Sequence, residues 1–295
     1  MSKELGNWLL FIVLSLIWGS SFILMKIGME SLTDFQVASL RIVSAGVVLL
    51  PLTVRHIRSI PFNKIGYIFL SGVLGNLVPS YLFCIAETRV DSALAGTLNA
   101  LTPIFAIITG FLIFKFHVPS KKIIGIIIAF GGSALLMFGK GMKDTSDISF
   151  SLLIVLATFL YGINVNLAKK YLNDVGSLKA ASVALSLSAI PALIVLIFTG
   201  YFHIFTRPET LIGTLAASTL GIMGTAIATI LFYMLIKRAG VLFTSMVTYG
   251  IPFVAIVWGF VYNEDIGWKQ IVSLFIILAG VYIANRSGKM ETVAD

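Results

Sequence analysis

Long apolar runs separated by short polar connections make up almost the whole chain. Each run is close to the ~20 residues that a helix needs to cross a ~30 Å hydrocarbon layer. The pattern predicts an all-α integral membrane protein with ten transmembrane helices, whose boundaries carry an error of about 2 to 4 residues. The predicted spans are residues 7–27, 34–53, 65–86, 92–115, 121–139, 149–170, 178–200, 210–236, 241–262 and 267–285.

Two of these runs carry the same pattern, Pro-x-x-Ala-x-x-x-Gly-Phe. It begins at Pro103 and again at Pro252, an offset of 149 residues (252 − 103). Each proline lies inside an apolar run and frees the carbonyl four residues back, that of Asn99 or Thr248. In a membrane such a break is tolerated only where protein or a water-filled cavity satisfies the freed group. We therefore predict two kinked helices at a central cavity, with the two prolines as hinges.

The repetition extends over both halves of the chain. Gly72-x-x-Gly75 recurs as Gly221-x-x-Gly224 at the same offset, and Trp18-Gly19 recurs as Tyr161-Gly162 at an offset of 143 (161 − 18). Five spans per half is an odd number, so the second half enters the membrane in the opposite sense and the two halves form inverted repeats. The predicted units are the first five-helix repeat 1–140, the second repeat 149–286, and a cytoplasmic tail 287–295.

Composition and charge narrow the class of protein. The chain is 58% hydrophobic and 12% charged, with a mean hydropathy of +1.00, which fits a membrane protein. Its net charge of +8 is concentrated in alternate connections, for example around Arg55 and Lys121, so it reports topology rather than a nucleic-acid partner. Both termini are predicted to be cytoplasmic. The single Cys and three distant His residues support neither a disulfide framework nor a metal site.

Several of these features together carry a family resemblance. They are Trp18-Gly19-Ser20-Ser21-Phe22, Arg41, Ala93, Pro103 with Gly110, Pro252, and Gly259 with Glu264. The chain resembles the EamA-type family of the drug/metabolite transporter superfamily. This resemblance implies a ten-helix carrier with a central cavity, of a kind that mostly exports amino acids, related metabolites or drugs. The family's pattern has an acidic residue after the fourth helix of each half. In this chain it is present as Glu264 in the second half, whereas the first half has Lys115.

Polar and aromatic side chains deep within the spans are the candidates for substrate binding, because an unpaired polar group is costly in lipid. Trp18 and Tyr161 occupy equivalent repeat positions and would form aromatic walls, while Thr225 and Thr229 fall on one helix face. Helix packing or interhelical hydrogen bonding is the alternative role for each of them. The predicted substrate-binding residues are Trp18, Ser21, Tyr81, Asn99, Tyr161, Asn164, Thr225, Thr229 and Tyr249.

Arg41 and Glu87 are the predicted intramembrane charges. Arg41 is the basic residue well inside a span, where a charge must reach the interface, pair, or meet a ligand. A structural ion pair with Glu87 or Asp34 is the favoured interpretation, and contact with an anionic group of the substrate is the alternative. No carboxylate lies in the middle of a predicted span, which disfavours proton antiport through such an acid.

Together these features predict a secondary transporter in the plasma membrane, by class a bacterial inner membrane. It would move small polar metabolites, such as amino acids or their analogues, by alternating access, with export as the expected direction and no cofactor. A drug exporter of the same superfamily is the alternative; a channel would need a charged or carbonyl-rich filter, and an enzyme paired acids, a Ser/His couple or a metal. The expected partners are a small-molecule substrate and the lipid bilayer, and a homodimer remains open.

Overall fold

The computed structural model describes residues 3–117, 120–139, 145–286 and 291–292, and most of these residues are helical. The helices of the first half are α1 (Lys3–Gly19), α2 (Ser21–Met29), α3 (Asp34–Ile57), α4 (Phe62–Gly72), α5 (Val78–Glu87), α6 (Ser92–Asn99), α7 (Thr102–Leu112) and α8 (Ser120–Gly139). Those of the second half are α9 (Thr145–Tyr171), α10 (Ser177–Phe198), α11 (Leu211–Thr219), α12 (Ala228–Ser245), α13 (Val247–Val261) and α14 (Trp268–Arg286).

Four short helical segments and one small ladder complete the described structure. Tyr201–His203 and Pro208–Thr210 are 3₁₀ turns, whereas Val73–Leu77 and Leu220–Ile227 are π-helical and join α4 to α5 and α11 to α12. Strand β1 (Phe116–His117) pairs antiparallel with β2 (Glu291–Thr292), so this described part of the predicted tail lies against the end of the fourth span.

The class of the fold is confirmed. Within the described residues, three shorter apolar helices coincide with predicted spans five, nine and ten: Lys122–Leu136, Val247–Val261 and Trp268–Ala284. Seven helical stretches there are long and apolar enough to cross a membrane: Glu4–Met29, Asp34–Ile57, Phe62–Glu87, Ser92–Leu112, Ile148–Tyr171, Ser177–Phe198 and Pro208–Ala239. The chain is therefore an all-helical, multi-pass membrane protein. The count of ten spans and the cytoplasmic position of both termini remain predictions.

One predicted boundary is wrong. Residues 237–240 were expected to connect spans eight and nine, but α12 continues through them as helix. The connection reads Lys-Arg-Ala-Gly, in which only the glycine weakens a helix, by about 1 kcal/mol relative to alanine. A break follows later, at the turn residue Met246.

Helices α3 and α10, which are predicted spans two and seven, pack against each other in antiparallel order. A Cβ built at Gly46 would lie 2.5 Å from the Cβ of Ala189, and the hydroxyl of Thr53 donates to the carbonyl of Ser182 at 2.9 Å. Rising residue numbers on α3 thus meet falling numbers on α10. Gly46 and Ala189 are also equivalent repeat positions, separated by the offset of 143, so a local two-fold axis passes through their contact.

Helices α8 and α14, which are predicted spans five and ten, repeat this arrangement with small residues. A Cβ built at Gly125 would lie 2.5 Å from the backbone of both Gly280 and Ala284. In return, a Cβ at Gly280 would meet the backbone of Ala129 and Gly125. Gly125 therefore meets Ala284 while Ala129 meets Gly280, so the two helices run antiparallel, and an antiparallel pair is related by a local two-fold axis perpendicular to both. Where the helices cross a membrane, that axis lies in the membrane plane, as an inverted repeat requires.

The two hinge prolines lie in different local structures. The helix is interrupted by a turn at Ala100 and Leu101, so Pro103 lies in the first turn of α7. The expectation that Pro103 lies in the interior of a helix is wrong. A proline costs no hydrogen bond at that position. The hydroxyl of Thr102 donates to the carbonyl of Asn99 at 2.8 Å and so satisfies the freed group locally. Pro252 does lie inside a helix, α13, as predicted.

We expect Gly125→Ala to destabilise the protein by about 1–3 kcal/mol, because the new methyl group would overlap backbone atoms that move only if α8 and α14 separate. Gly131→Ala on the same helix is the matched control, since a Cβ there has no neighbour within 4 Å. Thermal unfolding followed by circular dichroism in detergent micelles measures both variants. Equal unfolding temperatures for the two variants would contradict the assigned contact.

Candidate functional site

A cavity of about 270 Å³ lies between the two halves of the chain. Its volume is just below the ~300 Å³ at which pockets for drug-sized ligands begin, so the space suits a small metabolite. The first span contributes to it where it bends: Ser20 separates α1 from α2, and its hydroxyl accepts a 2.7 Å hydrogen bond from Trp258 Nε1 on α13.

Most residues of the cavity wall come in repeat pairs, one from each half at an offset of 143 or 149. These pairs are Trp18 and Tyr161, Ser21 and Asn164, Phe22 and Val165, Gly75 and Gly224, Asn76 and Thr225, Asn99 and Thr248, and Thr102 and Ile251. A cavity lined by equivalent positions of two inverted halves straddles the axis that relates them.

The two π-helical segments supply two of these pairs, Gly75 with Gly224 and Asn76 with Thr225. The first glycine of each Gly-x-x-Gly pattern packs closely against another helix. A Cβ at Gly72 would meet the carbonyl of Ala184, and a Cβ at Gly221 would meet the carbonyl of Arg41. These two positions are therefore sites of close helix packing. π-Helical turns are rare in proteins as a whole, but those that occur inside helices are often found at functional sites. Here both turns contribute residues to the cavity wall.

Trp18 and Tyr161 form aromatic parts of the wall, as predicted. The indole Nε1 of Trp18 donates to the carbonyl of Gly224 at 2.9 Å, within the second π-helical segment. The ring of Tyr161 stacks on Phe83, with 6.2 Å between ring centroids and 24° between planes. Both rings are thereby held by neighbours from other spans.

Asn164 and Asn99 provide amide groups at the cavity. Oδ1 of Asn164 accepts a hydrogen bond from the hydroxyl of Ser71 at 2.6 Å, and its Nδ2 lies against Gly75, where a Cβ would collide with it. Within the described residues no protein acceptor is found for that Nδ2, so its two hydrogens can serve a ligand. Oδ1 of Asn99 lies 3.5 Å from Thr102 Oγ1, and the Asn99 side chain lines the cavity.

Arg41 lines the cavity, and the prediction that it forms an ion pair with Glu87 or Asp34 is wrong. Its Nε donates to the hydroxyl of Thr225 at 3.1 Å, and its Nη1 lies 3.8 Å from the sulfur of Met25. Among the described residues, neither Glu87 nor Asp34 forms an ion pair with it, and both carboxyl oxygens of Glu87 are buried without a hydrogen-bond partner. The sequence placed Arg41 and Glu87 at similar depth but did not fix the rotation of α3, which turns Arg41 to the cavity.

Seven of the predicted binding residues meet at the cavity, and Tyr81 and Tyr249 do not. The hydroxyl of Tyr81 is 2.8 Å from Ser39 Oγ, and its ring packs against Phe35. Tyr249 packs against the hydrophobic core, while its neighbour Thr248 lines the wall. The apolar wall residues Phe22, Met25, Phe83, Val165 and Ile251 were not predicted, because nothing in the sequence separates an apolar wall from an apolar core. Asn76 and Thr102 had a usable signal, since each is polar within a span.

An ion pair closes one end of the structure. Lys26 Nζ lies 2.9 Å from Glu264 Oε1, and the other contacts of that carboxylate are the N–H groups of Ser92 and Ala93, each at 3.0 Å. The contact joins α2 and the start of α6 to the segment after α13, and hence one half to the other. The side chain of Glu264 is only 1% exposed. Burial alone would raise the pKa of Glu264, but the N–H of Ala93, the Lys26 ammonium and the N–H of Ser92 outweigh it and hold the pKa below its ordinary value.

The cavity wall is buried on the side of this ion pair and more exposed on the opposite side. Phe22, Met25 and Phe83, on the Lys26 side of the cavity, are all buried. Val165 on the other side lines the cavity and is 51% exposed. At that end the Lys64–Asp174 pair, at 3.1 Å, is solvent-exposed on its acidic member and contributes less to stability. In the predicted topology the buried side of the wall is towards the exterior and the more exposed side towards the cytoplasm.

Comparisons with known proteins agree with this architecture. The chain is 23% identical over 281 residues to an uncharacterized transporter of Archaeoglobus fulgidus, which covers 95% of this chain and 99% of the relative. It is 25% identical to the uncharacterized inner membrane transporter YedA of Escherichia coli, over 83% of this chain and 79% of the relative. A solved crystal structure with 15% sequence identity matches 96% of this chain and 98% of its own, with a TM-score of 0.60, and shows the same fold.

The sequence model of the EamA-like transporter family matches residues 6–138 and again residues 148–286. The two matches cover the two halves whose helices the structure relates by a two-fold axis. The chain therefore belongs to the EamA-like transporter family and is a membrane transporter.

Proposed function

We propose that the chain is a secondary transporter of small polar metabolites, with amino acids and their analogues as the leading class, in a bacterial inner membrane. The observation that carries this proposal is the cavity lined by repeat pairs, whose wall is buried on the side of the Lys26–Glu264 contact and more exposed on the other. Such a site is exposed to either side of the membrane when the two halves exchange conformations. Export is the direction that the family resemblance implies.

The dimensions and chemistry of the cavity favour this class of substrate over drugs. The cavity of about 270 Å³ combines aromatic walls with the amides of Asn99 and Asn164, the hydroxyl of Thr229 and the guanidinium of Arg41. An amide offers two donors and one acceptor, which suits a polar or zwitterionic ligand. A large apolar drug would leave these groups desolvated without partners, which is costly.

We expect proteoliposomes containing the protein to show saturable uptake of a subset of labelled L-amino acids, and counterflow when they are preloaded with the same unlabelled compound. A carrier with an alternating site gives counterflow, whereas a channel does not. Empty liposomes are the control, and the assay is run with and without an imposed pH gradient. Flux that stays proportional to concentration and shows no counterflow would contradict the carrier mechanism.

We expect Asn164→Ala and Asn99→Ala each to raise KM for transport about three- to tenfold, because each removes one hydrogen bond of about 0.5–1.5 kcal/mol to the substrate. Asn63→Ala is the matched control, since Asn63 is exposed at the start of α4 and remote from the cavity. Initial rates of uptake over a range of substrate concentrations measure the effect. Unaltered kinetics in the two cavity variants would remove these amides from the site.

We expect the Lys26–Glu264 contact to weaken in acid. Because the pKa of Glu264 is lowered in the folded state, its stabilising contribution is complete above the ordinary carboxyl range and is lost as pH falls through the lowered pKa. The single cysteine, Cys84, is buried on α5 near this end and reports the opening. Its labelling by an external, membrane-impermeant maleimide should accelerate in acid, after correction for the reactivity of free glutathione at each pH.

Glu264→Gln removes the charge and should raise this labelling rate about tenfold at neutral pH, equivalent to ~1.4 kcal/mol, with little further change in acid. Glu209→Gln is the matched control, because Glu209 is an exposed acid in the Pro208–Thr210 turn. If wild type and Glu264→Gln were labelled at the same rate across the pH range, the contact would not be a gate.

A further inference from the structure

Arg41 stands out because it is the single charged side chain among the described residues of the cavity wall. The wall otherwise consists of neutral polar, aromatic and aliphatic groups, with no Asp, Glu, Lys or His among them. A cation at membrane depth is costly unless it pairs, reaches the interface or meets a ligand. Within the described structure no carboxylate lies within ion-pair distance of it, and the buried Glu87 makes no hydrogen bond to it.

The donors of the guanidinium are only partly used. Nε is bonded to the hydroxyl of Thr225, and Nη1 has the sulfur of Met25 at 3.8 Å, which is a weak acceptor. The bond to Thr225 fixes the plane of the group against the second π-helical segment. A guanidinium held in this way presents the remaining N–H groups as a fork that matches the two oxygens of a carboxylate.

The guanidinium of Arg41 makes the charge distribution of the cavity asymmetric. The position equivalent to Arg41 in the second half is Ala184, which has no charge, while the partner of Thr225 in the first half is Asn76. The cavity is therefore nearly two-fold in shape but has positive charge on one side only. A ligand with an anionic end and a polar or aromatic remainder fits this distribution in one orientation.

We propose that Arg41, positioned by Thr225, binds the carboxylate of the substrate, so that the transported class is small organic acids and zwitterions and not the corresponding amides or amines. This inference rests on the proposed carrier function and adds to it the required chemical group and the residue that reads it. Asn99 and Asn164 then face the rest of the molecule.

The test uses matched probes that differ in this group alone: L-phenylalanine with L-phenylalaninamide, and L-threonine with L-threoninamide. Binding to the full-length protein in detergent is measured by thermal shift, and transport by competition against labelled L-amino acids in proteoliposomes. We expect the wild type to prefer at least one acid over its amide by tenfold or more. Arg41→Gln should lose that preference through a higher KM for the acid at similar kcat, and Arg41→Lys should keep part of it.

Arg58→Gln is the control for loss of a positive charge, because Arg58 follows the end of α3 on the exposed surface. An acid preference that survives in Arg41→Gln, or a wild type that treats acids and amides alike, would overturn the assignment while leaving the carrier function intact. Absence of any saturable flux would instead overturn the proposed function, whereas an acid preference in binding that disappears in Arg41→Gln would still support the role of Arg41. If no acid stabilises the wild type at all, the assignment fails.

Discussion

The structure depends on one constraint: a backbone polar group within the hydrocarbon layer must find its partner inside the protein. The break before Pro103 is tolerated because Thr102 satisfies the carbonyl of Asn99. Close to it, the amide of Asn166 donates to the carbonyl of Ala106 at 2.7 Å and to Thr109 Oγ1 at 2.9 Å, and so ties α9 to α7. Polar groups that cannot face lipid are thus collected in the middle of the bundle, where they also create the cavity.

The two-fold relation explains why these groups occur in pairs. Close approach of the halves is possible at glycines, and equivalent glycines make equivalent contacts: Gly75 lies against Asn164, and Gly224 lies near Ser21. The antiparallel order of α3 with α10 and of α8 with α14 puts the axis across the helices. In the proposed carrier mechanism, exchange of conformations about this axis would leave the lining pairs around the same space and transfer the opening from one end to the other.

Much of this could be predicted from the sequence, because the repeat offsets do not depend on how each helix is rotated. They place Trp18 with Tyr161 and Ser21 with Asn164, and both pairs meet at the cavity. Rotation is what the sequence does not give. Neighbouring side chains on a helix point about 100° apart, so an error of one residue selects a different face. Tyr249 was predicted to bind substrate, but its neighbour Thr248 lines the wall. Local geometry was equally inaccessible, since the turn at Ala100 and the π-helical segments arise from packing between spans.

Departures from the two-fold relation decide which conformation of the proposed carrier is favoured. With identical halves, the states open at either end would have equal free energy, so each asymmetric charge shifts the balance between them. The Lys26–Glu264 contact stabilises closure of one end, whereas the equivalent positions at the other end are Lys169 and Lys115, two like charges that oppose closure. Both differences favour a state with the Lys26–Glu264 contact formed, as in this structure. On this account the transport cycle must weaken the Lys26–Glu264 contact, and a substrate that compensates the charge of Arg41 acts on the same equilibrium from within the cavity.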